Sequence, residues 1–305
     1  SIPFRPHTFN LITNAGSFSG SGIGSLAVYQ PLLKPTHGRL VTGPAAALAI
    51  ATKPRPASFG SWTHQYGNPA NTTFGGEELA NANIPGGVTT TGQTQIQWVG
   101  KPGGAFTIDR GIRQGSPLAA NGRFYTLGDE RVIAMDSHNG YVLWSKLIPG
   151  LARFNVIRDC SNLAADDDAL YAATGGECWR IDGDAGTHIA LKVTPGPRSD
   201  IAWHWGMIIR EGSHLLGTAV SDQATYRKWW GPQYWYDSTT GTDTYLVCAD
   251  NLFSRDPVSG AENWTYTGGL ILHPTVTVAD GRVIFLESRN TTALNGSSRM
   301  LPMAS

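Results

Sequence analysis

The chain has 305 residues, a formal net charge of zero, 15% charged residues, 37 glycines and 18 prolines. Its 23 basic and 23 acidic side chains leave no net positive charge for nucleic acid or an anionic membrane, and the longest apolar run, near Ala45–Ala51, is too short to span a bilayer. Much glycine and proline, with no long helical period, favours a turn-rich all-β protein of one large or two modest domains.

In chain order, residues 1–59 differ from the rest. Asn14–Ser25 is small and flexible in composition, Arg39–Thr52 is apolar with alanines, and Lys53–Ser58 reads as a Pro-rich linker. This stretch is expected to be an N-terminal arm or the tail of a preceding module. No charged-then-apolar leader opens it, and the first residue is serine, which suggests a processed product or a fragment.

From Trp62 a series of strands is expected over 60–290, with Gln95–Val99 as the outer strand of a shared or closing unit. Ser116–Ala120 and Arg123–Leu127 flank Asn121-Gly122, a strong hairpin signal. The apolar run Val132–Met135 then ends on Asp136, with Gly140 four residues on and Trp144 four further. The phrase returns as Asp182 and Gly186, with Ala190 in the tryptophan's place, after Ser161–Ala165 and Ala169–Thr174. It returns again as Asp256, Gly260 and Trp264, after Met207–Arg210, Leu215–Val220 and Tyr245–Ala249. A fourth unit runs from Thr275–Ala279 through Asp280-Gly281 to Arg282–Glu287 without a closing phrase, and 291–305 reads as a patternless tail.

Physically, the phrase is strand, tight turn, strand. The aspartate accepts backbone N–H groups within the turn, the glycine supplies positive φ, and the tryptophan on the returning strand covers the next unit. Asp136 and Asp182 lie 46 residues apart, which fits four-stranded propeller blades. Asp182 and Asp256 lie 74 apart, which marks an insertion at 221–243 rich in aromatics, among them Tyr226, Trp229, Trp230 and Tyr234–Tyr236.

Candidate chemistry is sparse. Arg110, Arg113, Arg153 and Arg158 precede inner strands, where a propeller's channel lies, and suit a carboxylate-rich ligand. The plainer alternative is that Arg158 pairs with Asp159 or that these arginines cap strand ends. Trp229 and Trp230, with His204 between Trp203 and Trp205, suit carbohydrate stacking or an interchain contact. Asp166-Asp167-Asp168 reads as a solvated hairpin tip. Asp182–Gly186 superficially resembles a calcium loop but lacks the closing glutamate and coincides with the repeat turn. The eight histidines show no metal-ligand spacing, and no metal site is expected. Cys160, Cys178 and Cys248 show no CxxC spacing. A Cys160–Cys178 bridge would have to cross two strand spacings, roughly 9.6 Å, beyond normal reach.

The phrase AMDSHNGYVLW resembles the docking motif of quinoprotein-type, PQQ-binding-like β-propeller repeats, and Ser61–Thr72 (SWTHQYGNPANT) is similar to the opening of many such propellers. DNLFSRDPVSGAENWTY and GRVIFLES look like later blades of the kind. The resemblance covers roughly Trp62–Ser288, and Arg110–Trp205 is particularly similar to large secreted repeat proteins of planctomycete type. It implies a four-stranded, antiparallel-bladed propeller, incomplete here, in an extracytoplasmic setting. It also implies either a dehydrogenase using PQQ with calcium or a non-catalytic scaffold. The chain has no adjacent cysteine pair, and none of its aspartates stands out as the catalytic one.

Closed propellers use four to eight blades. A bare blade face of ~300 Å² apolar area forgoes roughly 7 kcal/mol, comparable with a domain's whole stability. The expectation is therefore a non-catalytic scaffold, without catalytic residues or a cofactor, whose ring is completed by another chain or a further part of the precursor. The alternatives are a PQQ-dependent dehydrogenase or a fragment of one, and a carbohydrate-binding module.

Overall fold

The computed structural model describes residues 9–13, 29–44, 46–57, 59–77, 116–128, 130–151, 162–221, 245–296 and 300–302. Three strands, β1 (Leu11–Thr13), β2 (Arg39–Thr42) and β3 (Ala49–Thr52), form a small sheet in which β1 runs parallel and β3 antiparallel to β2.

Three blades follow. The first is β4 (Leu118–Ala120), β5 (Arg123–Gly128), β6 (Arg131–Asp136) and β7 (Val142–Leu147), in sequence order. The second is β8 (Leu163–Ala165), β9 (Ala169–Thr174), β10 (Glu177–Asp182) and β11 (His188–Lys192), again in order. The third takes β12 (Trp203–Glu211), β13 (His214–Ser221), β15 (Asn251–Arg255) and β16 (Glu262–Tyr266), and skips β14 (Tyr245–Ala249). All pairings within the blades are antiparallel. These are the expected four-stranded β-propeller blades, in an incomplete ring.

The hairpin signals hold for local reasons. Asn121 and Gly122 take φ values of 46° and 75°, the two positive angles of the tight turn that matches strand twist. Asp280 and Gly281 do the same between β18 (Thr277–Ala279) and β19 (Arg282–Ile284).

Each inter-blade space is a separate apolar layer. Leu118, Tyr125 and Val132 meet Leu163, Leu170 and Ile181 between the first and second blades. Tyr171, Cys178 and Leu191 meet Trp205, Leu215 and Phe253 between the second and third. Met207, Ile209 and Leu252 then meet Ala249, Ile271 and Val278 beyond the third. A blade buried on both faces reads as an unbroken apolar run, such as Ala169–Ala173, rather than as alternation.

Two features differ from the sequence reading, and the N-terminal arm shows what it packs on. The third strand of the third blade is β15, whereas Tyr245–Ala249 joins a further sheet with β17 (Leu270–Leu272), β20 (Glu287–Ser288) and β21 (Met300–Pro302). Residues 245–249 form the more continuous apolar run, whereas 251–255 carries apolar side chains only at Leu252 and Phe253; the separator is Asp250, whose N–H donates to Ala219 O. The patternless tail contains a short helix, α1 (Thr291–Asn295), capped by Asn290, and strand β21 paired with β14. Finally, the N-terminal stretch packs on the first blade: Lys34 Nζ reaches Asp136 Oδ2 at 2.6 Å and Thr36 Oγ1 meets His138 Nε2 at 3.3 Å.

Candidate functional site

The segment Trp62–Thr73 passes along the inner strands and bonds to each in turn. Trp62 and Ala119 of β4 exchange both backbone hydrogen bonds, at 2.7 and 2.8 Å. Ala165 N of β8 donates to Thr63 O at 2.9 Å, and Arg210 N of β12 donates to His64 Nε2 at 2.9 Å. Val278 N of β18 donates to Pro69 O, and Asn71 Nδ2 donates to Val276 O and Thr277 Oγ1. This strap lies on the side where a propeller's channel would be. The family resemblance marked it as a propeller opening; its hydrogen bonds tie four first strands together. With its amide nitrogen so engaged, Asn71, which heads an Asn-Thr-Thr triplet, is a poor glycosylation acceptor.

Two histidines are buried beside the strap. His64 shares a hydrogen bond between Nδ1 and Thr63 Oγ1, and its pKa is pushed down to about 3, by burial first and then by Arg210. His273 Nε2 meets Thr218 Oγ1 at 2.9 Å, and burial pushes its pKa down to about 3 as well. Between them lies a cavity of about 40 Å³, lined by His64, Gln65, Tyr66 and Asn71, by Met207–Ile209, and by His273, Pro274 and Val276. That is room for ordered water, against the ~300–1,000 Å³ of a drug-sized ligand pocket. Both imidazoles are held neutral at physiological pH, so the lining has no permanent positive charge to meet the carboxylates of a PQQ-like quinone. The axial residues described here therefore do not fit that cofactor. A wider cleft of about 520 Å³ lies off the axis beside Thr267–Leu270. Its one guanidinium, Arg198, is already paired with Asp200 at 2.8 Å.

The sequence-predicted Arg110, Arg113, Arg153, Arg158, Trp229 and Trp230 lie outside the described residues, as do Gln95–Val99 and Cys160. Cys178 and Cys248 are both buried, and burial pushes the Cys178 thiol pKa up. Among the described residues no cluster of three His, Cys, Asp or Glu side chains could hold a metal ion.

The repeat residues fall where their chemistry puts them. Asp136 accepts from His138 N, Asp182 from Asp184 N and Ala185 N, and Asp256 from Val258 N and Ser259 N. Gly140, Gly186 and Gly260 have φ of 71°, 69° and 74°, and each donates its N–H to the carbonyl of its aspartate at 2.9 Å. Trp144 reaches the next turn: Nε1 donates to Gly183 O at 2.8 Å, and a Cβ at Gly186 would lie 3.0 Å from the indole.

The second copy departs from the expectation. Leu191, not Ala190, lies against the third copy's Gly260, where a Cβ would come within 2.8 Å of Leu191 Cδ2. The cause is a bulge. β6–β7 and β15–β16 slip register just before the aspartate, pairing Trp144 with Ala134 and Trp264 with Ser254. β10–β11 runs without a slip and pairs Arg180 with Ile189. Residue 190 therefore faces the opposite side of its blade.

Sequence reasoning missed the charged latches between blades. Arg123, nearly buried, donates to Asp184 Oδ1 at 2.6 Å and to Asp167 O at 2.8 Å. Arg210 donates to Asp166 Oδ2 at 2.7 Å and lies over the Tyr171 ring. The hairpin tip Asp166–Asp168 is the solvated turn expected, with Asp167 and Asp168 exposed, and it is also a junction between blades. The available signal was an arginine flanking a hairpin in each neighbouring blade, too common to single out.

Replacing Gly186 with alanine is expected to cost ~1–3 kcal/mol, because it adds positive-φ strain and a methyl against Trp144. Urea denaturation checks this, and an unchanged midpoint would contradict the docking.

No protein-family model matches the chain, and no curated protein matches it. Among solved structures it is similar to a quinohemoprotein alcohol dehydrogenase from Pseudomonas putida HK5, with 16% identity and a TM-score of 0.36 over 53% of this chain and 22% of that one. It is similar to a europium-containing methanol dehydrogenase, with 15% identity and a TM-score of 0.41 over 69% and 32%. It is also similar to BamB from Moraxella catarrhalis, with 11% identity and a TM-score of 0.30 over 64% and 68%. The chain spans 22% and 32% of the lengths of the two dehydrogenases. At these identities the likeness is one of fold, and function rests on this chain's own residues.

Proposed function

We propose that the chain is a non-catalytic, extracytoplasmic β-propeller segment that serves as a rigid interaction scaffold, its ring completed by another chain or a further part of the same precursor. The carrying observation is the strap. Trp62–Thr73 runs along the inner edge of the arc and binds the first strand of four successive units, so the chain's own backbone lies on the side where a channel ligand would sit. What remains is a cavity of about 40 Å³ between two neutral imidazoles. Such a strap stiffens the arc and leaves the outer surfaces for recognition. No helix among the described residues is long and apolar enough to cross a membrane.

The test is to add PQQ with calcium to the protein. On this reading the thermal midpoint does not move and no artificial dye is reduced with alcohol or sugar substrates. Saturable stabilisation, which any ligand of the native state produces, together with dye reduction, would replace the scaffold with the dehydrogenase.

A further inference from the structure

We propose that the fourth unit is completed by a β-hairpin of a second, different polypeptide. Its Asp-x-x-x-Gly turn seats on Trp264, and its first strand pairs with the free edge of β19. This rests on the scaffold reading and names the surface the partner uses.

Two separate observations converge. The first is Trp264 itself. It follows the same bulge as Trp144 and pairs with the residue two before its aspartate, as Trp144 does. Trp144 is half-buried, with its indole N–H on Gly183 O and its ring on Gly186. Trp264 is 36% exposed and has no hydrogen bond or ring contact among the described residues. Among the described residues the same docking side chain therefore meets no receptor.

The second is the edge of β19. β18 is bonded to the strap through Val278 N and Pro69 O, as the first strands of the three blades are. β18 and β19 thus occupy the places of first and second strand, and no third strand pairs with β19 among the described residues. Val278 faces Val283 across the hairpin and sends its N–H to the strap. That pair is therefore non-hydrogen-bonded, and the N–H and C=O of Val283 point to the free edge. Ile284 and Leu286 beside it are 59% and 65% exposed. An open edge with apolar side chains is a template for an added strand.

In the second and third blades the third strand, the glycine turn and the fourth strand are consecutive, and the turn is what receives the preceding blade's docking residue. One hairpin therefore meets both vacancies at once. A second copy of this chain does not offer it. Its Gly186 and Gly260 are already covered by Trp144 and Leu191, and its Asp136 is wholly buried against Lys34.

The probe is a synthetic peptide of residues 131–147, a hairpin of the required kind from the first blade, titrated into the isotope-labelled chain. The Trp264 indole N–H and the Val283 backbone N–H are followed by NMR, the latter reporting binding in Trp264→Ala. The expected result is a saturable downfield shift of the indole resonance, with affinity at least tenfold weaker for Trp264→Ala and for a peptide carrying Gly140→Val. No saturable binding, or binding indifferent to Trp264→Ala, would overturn the proposal. So would slow exchange of the Trp264 indole proton in the protein alone, since the face would then be filled from within the chain. Quinone-dependent turnover defeats the scaffold reading, whereas a failed titration on a quinone-inert protein defeats only this docking.

Discussion

Acidification from pH 7 towards pH 4 is expected to unfold the protein, with two histidines setting the slope. His64 and His273 are buried and neutral in the native state, with pKa values pushed down to about 3. In the unfolded chain each returns to the ordinary value of about 6.5. Between those limits the unfolded state binds the extra protons, so stability is complete above pH 6.5 and falls as pH drops. Each histidine contributes about 1.4 kcal/mol per pH unit, roughly 2.7 for the pair. Two to three pH units below 6.5 therefore remove about 5–8 kcal/mol, enough to unfold a domain in the lower half of the usual 5–15 kcal/mol range. The carboxylates held low by partners act later: Asp184 beside Arg123 and Asp256 on its turn N–H groups withdraw stability only as pH falls through the low carboxylate range.

The geometry makes the effect specific. His64 Nε2 accepts the Arg210 N–H, so a proton there breaks the strap's hold on β12. Glutamine at either position keeps an acceptor without the basic site. Stability measured by urea melts from pH 7 to 4.5 should lose about half its pH slope in His64→Gln and again in His273→Gln. Slopes identical to the parent in both variants would mean that neither imidazole is held neutral by its surroundings.

Those two histidines also show where the sequence stops being legible. The blade turns are local: Asn121-Gly122, Asp280-Gly281 and the Asp–Gly pairs each fix a conformation within four residues, and all could be read directly. The strap could not, because its hydrogen bonds reach from Trp62 to Ala119 and from His64 to Arg210, and nothing in Ser61–Thr72 announces partners so distant. The place of Ala190 was misjudged for a related reason. Spacing alone does not reveal whether a bulge intervenes, and one extra residue turns a side chain to the other face. Arg123 and Arg210 were invisible because their value lies in the neighbouring blade's turn.

The second large effect expected is at the first blade's turn. Asp136 is fully buried; its Oδ1 accepts the His138 N–H and its Oδ2 takes the Lys34 ammonium at 2.6 Å. Lys34 comes from the segment that Lys53 closes by donating to Gln30 O and Leu33 O. One ion pair therefore joins the N-terminal sheet to the propeller arc. Lys34→Met should cost about 3–5 kcal/mol, because it leaves a carboxylate inside without a counter-charge. Asp136→Asn should cost less, about 1–2 kcal/mol, since the turn acceptor survives and the ammonium, whose side chain is 13% exposed, is nearer to water. The double variant should then be more stable than Lys34→Met alone, the sign of a coupled pair. Hydrogen exchange in β2 and β3 should accelerate in Lys34→Met before exchange in β9 or β10 does. If Lys34→Met loses under 1 kcal/mol, the N-terminal sheet is held to the first blade by something other than this pair. The asymmetry between the single variants is the discriminating quantity: apolar contacts such as Thr36 on Gly122 persist in both, and only a buried charge makes removal of the cation the costlier change.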